Sequence, residues 1–588
     1  MINGKMFNQK ITNPKYLSVG LILIIVLTVF YPVLSAGVID LDDTSMIMDL
    51  NIYDQNISLK KLFFPETPVA YFRPLLTISY IVDSKIWEME YSGYHLTNII
   101  FHLLNSIILY FIVLNFFKGF NQNTVVPIFT TLLFAVHPLT CESVAWISGR
   151  SDILAAFFSL LAFWVYQSSS KFRYFGVMLC LFLGLLSKES ALVVCPLIIM
   201  YEYLAGSPGK ISKEKLIQTA RWIFWLSIPV IIYLYERTSG FDIFGTTMEI
   251  SSAAGSNVGS EVPGKQLSFL FKTPAIIAFY FKKLIIPYPL NFAIYTLNYS
   301  VYTLLFFWGA IGCTGLILKK KFYLPSLTLF IFISFSPALL LAWADVAWTP
   351  YAERYLYLSI PVLAIGTGRL YCTNTLIIKN WNKVALTCFC IIIFMFSATT
   401  FHRNLIWNKK EKLWADTYNK NPDFPRVLYK YGHALGLERG IPYIKKAVEI
   451  GDKKNWLDLS LLDLADYSIK NKNYSAAAEY AKRAVTTVPN PTNYIEASRM
   501  VTHVIDKFKG GREENIRFVI YCSKQLYAIR HNPNYLFKIA VMYTKLNDYK
   551  SAEAFYEKII VTHPKSRIIK QVQIKLQSIN ELINVSKT

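Results

Sequence analysis

The chain lacks the short motifs that would mark it as a common soluble enzyme. Its eight cysteines include no CxxC pair, so no zinc knuckle or redox dithiol is spelled out. Seven of them lie in or beside apolar segments and Cys522 stands alone, which implies no disulfide framework. There is no HExxH and no P-loop, so zinc-dependent hydrolysis and direct use of ATP are not written here. Any activated substrate has to come from elsewhere. Charge is sparse, at 17% of residues, and acidic charge is the scarcer kind: 38 Asp and Glu face 60 Lys and Arg, a net charge of +22. A basic balance can signal nucleic acid. No zinc-ligand spacing, recognition-helix pattern or stacking-aromatic motif accompanies it, and no nucleic-acid partner is expected.

What is abundant is apolar sequence. Of 588 residues, 54% are hydrophobic and 15% aromatic, too apolar for one soluble domain of this length. Apolar runs recur from Leu17 to Thr400 and then stop. We therefore expect a membrane part over 1–400, a connector over 401–422 and a soluble tail over 423–588. The sequence after residue 400 carries 32 Lys and Arg against 18 Asp and Glu, which reads as the solvated face of helical repeats, with attraction to anionic membrane lipid as the next reading.

Loop charges suggest a topology. Lys5, Lys10 and Lys15 precede the first apolar run, place the N-terminus in the cytoplasm, and leave the run uncleaved because no small-residue site is clear before Asp40. The following loop, with Asp40, Asp49, Asp54, Glu66, Glu88 and Glu90, is then external. Further spans are expected near 96–117, 124–141, 152–168, 173–187, 189–206, 220–236, 301–318, 322–343, 355–371 and 383–400. Residues 237–265 read as a flexible external loop, and 266–286 as a segment at the external interface or one that dips in and returns, because crossing would carry Lys319, Lys320 and Lys321 outside. That gives about eleven crossings and an external tail.

The tail repeats itself. Residues 456–489 and 532–564 share small and aromatic residues at helical spacing, close to the roughly 34-residue tetratricopeptide period. Asn473-Tyr474 and Asp548-Tyr549 fall at the same inter-helix position, and weaker units fill 423–452 and 493–530. Such units stack into an α-solenoid with a concave surface suited to a partner or acceptor.

The unusual polar residues gather on the external side of this topology. Asp42 and Asp43 follow the first span on a short tether. Arg73 comes next, then Tyr94, His95, Asn98 and His102; the last three share one helix face. His137, Glu142, Arg150 and Asp152 follow the third span, Lys188 and Glu189 the fifth, and Glu353 and Arg354 the ninth. Charged groups at membrane depth are costly and usually mark sites or pathways. Each also has a plain structural explanation: His102 as a packed helix-face histidine, His137 as a shaper of a helix end, Glu353-Arg354 as an ion pair, Lys188-Glu189 as interface polarity. Their common sidedness is what those explanations handle poorly.

The strings DLDDTSMIMDLNI, YFRPLLTISY, GYHLTNIIFHLLNSIILY, HPLTCESVAWISGRSDILAAFFSLLAF, LGLLSKESAL and AERYLYLSIP, followed by tetratricopeptide repeats, resemble the transmembrane and tetratricopeptide-repeat O-mannosyltransferases. That group belongs to the GT-C glycosyltransferases, alongside the protein O-mannosyltransferases. The resemblance runs through nearly the whole chain in order; 237–300 and the weaker repeats carry little of it. It implies an all-α fold: a polytopic GT-C membrane domain and a repeat solenoid. It implies a hexose donor on a polyprenyl phosphate, a hydroxyl acceptor such as a protein Ser or Thr, and chemistry on the external face. In that family an acidic pair in the first external loop supplies the catalytic carboxylate; here it is Asp42-Asp43, and which of the two acts stays open. A carboxylate can take the proton of an attacking hydroxyl while cations receive the leaving phosphate. Arg73, Arg150, Lys188 and Arg354 are the candidates, the arginines suited to bidentate contact. No cofactor is demanded, and a divalent cation is compatible with the site. A bacterial inner membrane with periplasmic repeats is expected, or an endoplasmic-reticulum membrane with lumenal repeats in a eukaryote. The alternatives are a non-catalytic scaffold that recruits partners through its repeats, a GT-C transferase acting on a glycan or lipid, and a transporter.

Overall fold

The computed structural model describes residues 14–39, 41–44, 47, 59–63, 72–118, 125–204, 213–239, 263–344, 349–374, 381–451, 457–508 and 511–585. Asp40, Asp49, Asp54, Glu66 and most of the expected loop 237–265 lie outside them. The chain divides into two compact units, Met1–Asp416 and Thr417–Thr588.

In the first unit the helices are α1 Pro14–Phe30, α2 Leu59–Phe63, α3 Pro74–Trp87, α4 Tyr91–Phe116, α5 Val125–Ala135, α6 Thr140–Ala145, α7 Arg150–Tyr166, α8 Arg173–Leu185, α9 Val194–Leu204, α10 Lys213–Ser239, α11 Pro263–Ile285, α12 Tyr299–Leu318, α13 Tyr323–Ala344, α14 Ser359–Asn374, α15 Trp381–Trp407 and α16 Lys410–Lys420, the last containing the boundary between units. Among the described residues, seven helical stretches are long and apolar enough to cross a membrane: Lys15–Ser35, Tyr91–Phe116, Ile147–Tyr166, Lys213–Arg237, Tyr299–Leu318, Tyr323–Ala342 and Lys383–Trp407. They coincide with seven of the expected spans.

The expected spans 124–141, 173–187, 189–206 and 355–371 carry the shorter helices α5, α8, α9 and α14. At 1.5 Å per residue, an eleven-residue helix such as α5 rises about 17 Å, roughly half a hydrocarbon core. The polar sequences at their ends explain this. Glu189–Val193 before α9 and Glu353–Leu356 before α14 are 3₁₀ turns, and both hold charged side chains that bond elsewhere in the protein instead of continuing an apolar helix. The segment expected at 266–286 is the helix α11, which carries Lys272, Lys282 and Lys283 and is not among the long apolar helices.

Helix α4 packs against α5 and α7, and α7 against α8, so these stretches form the centre of the unit. Asn404 of α15 and Asn408 just after it tie this helix to the first span: Asn404 Nδ2 donates to the Val29 carbonyl at 2.9 Å and Asn408 Nδ2 to Ser35 Oγ at 2.8 Å. In a membrane such hydrogen bonds and close packing hold helices together, since lipid competes for apolar contact.

The second unit is built from four helix pairs and a closing helix: α17 Pro425–Ala434 and α18 Leu437–Ile450, α19 Leu457–Lys470 and α20 Tyr474–Thr487, α21 Pro491–Lys507 and α22 Arg512–Arg530, α23 Pro533–Lys545 and α24 Tyr549–Thr562, then α25 Ile569–Val585. The pairs fall on the four expected repeats. Their boundaries are written in cap chemistry. Pro425, Pro491 and Pro533 open first helices at the position where a missing N–H costs nothing. Asn473 accepts from the Ala476 amide and Asp548 from the Ser551 amide, so the two residues equivalent in sequence are equivalent N-caps. The residues before them, Lys472 and Asn547, share a left-handed φ of 58° and 59°. Alanines at 465, 477, 481, 484, 497, 540 and 552 are buried and let the helices approach closely. At Gly432 and Gly440 the backbones of α17 and α18 meet so closely that a Cβ on Gly440 would run into the Gly432 carbonyl. Each buried Leu or Ile in this solvated unit contributes about 1.5–3 kcal/mol.

Candidate functional site

The first span ends in a 3₁₀ turn, Tyr31–Ser35, and delivers Asp42 and Asp43 a few residues later. The two carboxylates differ in surroundings. Asp42 is exposed; Asp43 is fully buried. Asp43 Oδ2 accepts from the Ile39 amide at 3.0 Å, closing its own segment into a loop. Its Oδ1 accepts from the Ser148 amide at 2.9 Å and the Ser148 hydroxyl at 2.5 Å. Burial pushes Asp43 up to about 6, against the downward pull of the Ser148 and Ile39 hydrogen bonds, and the charge of Asp42 adds to the rise.

The Ser148 turn is itself held firmly. A Cβ on Gly149 would meet the Ser143 carbonyl, so only glycine fits there. The next residue, Arg150, is fully buried and engaged all round: Nη2 pairs with Asp83 at 2.5 Å and donates to the Tyr94 carbonyl at 2.9 Å, Nε donates to Asn98 Oδ1 at 2.8 Å, and the guanidinium lies 4.7 Å from the centre of the Tyr80 ring. Asn98 Nδ2 in turn donates to the carbonyls of Val144 and Trp146 at 3.3 and 3.0 Å. Arg150, Asn98 and Tyr94 therefore brace the turn that grips Asp43. His95 is buried in α4 beside the backbone of Ala36 and Gly37, with neither ring nitrogen in a regular hydrogen bond.

The other cations converge elsewhere. Lys188 Nζ pairs with Asp152 at 2.6 Å, both less than a tenth exposed. Arg354 Nη1 pairs with Glu142 at 2.5 Å, its amide donates to the same carboxylate at 3.1 Å, and its guanidinium lies 4.9 Å from the centres of the Trp146 and Tyr355 rings. Arg73 meets Glu189 at 2.8 Å, and Arg237 reaches the same carboxylate at 3.4 Å. Lys283 pairs with Glu353 at 2.5 Å. Glu353 and Arg354, neighbours in sequence, thus serve different partners rather than each other. Burial lowers the pKa of Lys188, Asp152 pulls it back up, and Arg73 and Arg354 are near enough to push it down again. In these contacts five cations meet four carboxylates, so the cluster is electropositive before any anion arrives.

A cleft opens at this cluster. Its lining combines polar side chains, among them Lys188, Asp152 and Tyr355, with apolar ones, among them Ala156, Pro337 and Leu341. Ser148, which grips Asp43, and Asp152, which grips Lys188, are four residues apart across the start of α7. About one helical turn, roughly 6 Å, separates the anchor of the acidic pair from the anchor of the cleft lysine.

The histidines take structural places. His102 Nδ1 is 2.6 Å from the Tyr357 hydroxyl and Nε2 2.9 Å from the Ala135 carbonyl, in a nest of Phe30, Phe134 and Tyr357 rings. His137 Nε2 is 3.1 Å from the Leu284 carbonyl, and Nδ1 accepts from the Leu139 amide at 3.3 Å, which shapes the end of α5. Among the described residues no three His, Cys, Asp or Glu side chains come together as a metal site.

No family model matches the chain. It is similar to Protein O-mannosyl-transferase TMTC3 of Homo sapiens, 25% identical over 474 residues that cover 70% of this chain and 49% of that protein. Protein O-mannosyl-transferase F38B6.6 of Caenorhabditis elegans is 24% identical over 382 residues, 62% of this chain and 51% of that protein. A shorter match to Protein O-mannosyl-transferase TMTC1 of Mus musculus reaches 33% over 150 residues, 23% of this chain and 16% of that protein. The chain is similar to proteins of this family along most of its length. It spans about half the length of the TMTC3 and F38B6.6 proteins it matches.

Sequence reasoning about the candidate site misses Asp83, Arg237, Lys283 and Tyr357. Asp83 has a signal: it is a lone acid in the apolar helix α3, and such a charge needs a partner. Lys283 has a weaker one, in a segment whose crossing is itself in question. Arg237 falls in the stretch that reads as a loop, whereas α10 continues to Ser239.

Proposed function

We propose that the protein is a GT-C-type membrane glycosyltransferase. It moves a hexose, mannose by the naming of its relatives, from a polyprenyl phosphate to a Ser or Thr hydroxyl of a protein on the external or lumenal face. The observation that carries this reading is that Ser148, which holds Asp43 beside the exposed Asp42, lies one helical turn from Asp152 at a cleft lined by Lys188 and by apolar side chains. A phosphate on a lipid tail needs both features of that cleft: cations for the phosphate and apolar surface for the first isoprene units.

Asp42 takes the proton of the acceptor hydroxyl as that oxygen attacks the anomeric carbon. The bond between that carbon and the phosphate oxygen breaks, and the phosphate leaves with the electron pair. Lys188 meets it first, as a point charge on the cleft wall, with Arg354 and Arg73 behind. Arg150 stays with Asp83 and braces the acidic loop. The repeats supply a surface for the acceptor chain. The test is transfer from a polyprenyl-phosphate-linked mannose in reconstituted membranes. Asp42→Asn is expected to lower the rate by about 10²–10⁴-fold, the usual worth of a general base, with donor affinity unchanged. Full activity in Asp42→Asn would remove the assignment.

A further inference from the structure

The acidic segment is held to the rest of the unit by apolar packing, with Ile47 buried among Leu76, Tyr80, Tyr94 and Ile147, and by hydrogen bonds at Asp43. Of the hydrogen bonds Asp43 accepts, the one from Ile39 is internal to its own segment, and the two that reach across the fold both come from Ser148 and both land on Oδ1. Ser148 is itself under a tenth exposed and sits in a turn that cannot shift: Gly149 is packed on the Ser143 carbonyl, and Arg150 is pinned by Asp83, Asn98 and Tyr94. Asp42, the adjacent residue, is exposed. The hold on Asp43 constrains the backbone from which the Asp42 carboxylate is presented.

We propose that Ser148 is a positioning residue for the transfer reaction: its hydroxyl and amide clamp one oxygen of Asp43 and so fix the direction in which Asp42 presents its carboxylate. The inference rests on the reading of Asp42 as the proton acceptor. The three bonds use both oxygens of Asp43, so the full set needs the carboxylate ionised: protonation gives up acceptor capacity on one oxygen. The titratable groups that act on Asp43 or feel its charge are Asp42 on the same segment and Tyr80 on α3, and Tyr80 in turn faces Asp83 and Arg150, the latter also near His95 on α4. Of these carboxylates Asp43 is the one that receives the Ser148 hydroxyl. A hydrogen bond to the charged form lowers a carboxylate's pKa, so losing it moves the ionisation of Asp43 to higher pH.

The experiment compares wild type, Ser148→Ala, Ser148→Thr and Asp42→Asn in reconstituted membranes, with polyprenyl-phosphate-linked mannose as donor and transfer measured from pH 5 to 8, and with thermal unfolding of each variant. Ser148→Ala keeps the amide bond and loses the hydroxyl, so kcat is expected to fall roughly tenfold with donor KM unchanged. The acid limb of the profile, near 6 in the wild type, is expected to move up by about half to one pH unit. Ser148→Thr restores both. A purely structural serine would lower the folded fraction without moving the limb. If Ser148→Ala keeps the wild-type kcat and limb, or if its loss is accounted for by unfolding and Thr does not rescue it, the clamp is wrong while Asp42 stands. If Asp42→Asn is fully active, the underlying reading fails instead.

Discussion

Replacing Lys188 separates a phosphate ligand from a structural ion pair. Lys188 and Asp152 are buried together at 2.6 Å, so Lys188→Met alone leaves a carboxylate without its counter-charge. Breaking a buried pair in this way costs about 3–5 kcal/mol, enough to lower expression and melting temperature by itself. Lost activity in the single variant would therefore decide nothing. The double variant Lys188→Met/Asp152→Asn removes both charges and is expected to recover most of the stability, since an apolar or neutral replacement of a buried pair is often close to neutral. It does not recover the donor site. A charge-assisted contact to phosphate is worth about 1.5–3 kcal/mol, which is roughly 10- to 150-fold in Kd for the donor. The assay is donor binding to protein in nanodiscs, paired with thermal unfolding of the same samples. A double variant that folds like the wild type and binds donor like the wild type would show that Lys188 serves Asp152 alone, and the cleft would lose its role.

Arg150 is expected to behave in the opposite way. Arg150→Gln should cost about 3–5 kcal/mol of stability, because Asp83 stays buried without its partner, and Asp83→Asn in the same chain should restore much of it. A well-folded Arg150→Gln that fails to bind donor would move Arg150 into the phosphate site. The side of the membrane that the repeats occupy can be read with a cysteine at Tyr521, which is exposed, in a chain whose own cysteines are replaced. Cys522 itself is a poor reporter, being fully buried with its thiol pushed up to about 12 by that burial. Labelling of Tyr521→Cys by an impermeant reagent on intact cells or sealed lumen-side-out vesicles is expected; labelling only after permeabilisation would reverse the proposed orientation.

Much of the architecture is legible in the order of residues along the chain. Seven spans are visible as apolar length, and the repeats as a period whose cap residues, Asn473 and Asp548, do the same work in two places. These are local properties: a cap acts on an amide two or three residues away, and apolar periodicity is felt within a few turns. The short helices are harder to read. Sequences around His137, Lys188 and Arg354 are apolar enough on average to suggest full spans, and only their folded partners show why each helix stops and turns.

The site divides in the same way. Sequence alone sets which residue types stand at helix ends, and it puts acidic, basic and histidine groups on one side of the topology. It does not assign partners. Arg150, expected at a phosphate, pairs with Asp83; Arg354 is held by Glu142 from 212 residues away and Glu353 by Lys283 from 70. A buried charge must find a counter-charge, but several candidates of either sign are available within one cluster, and pairing depends on a few ångströms of helix-end placement. The unequal fates of Asp42 and Asp43 have the same cause. They are adjacent and chemically identical, yet one is buried and the other exposed, and only the approach of the Ser148 turn decides which is clamped in the interior and which is left facing out.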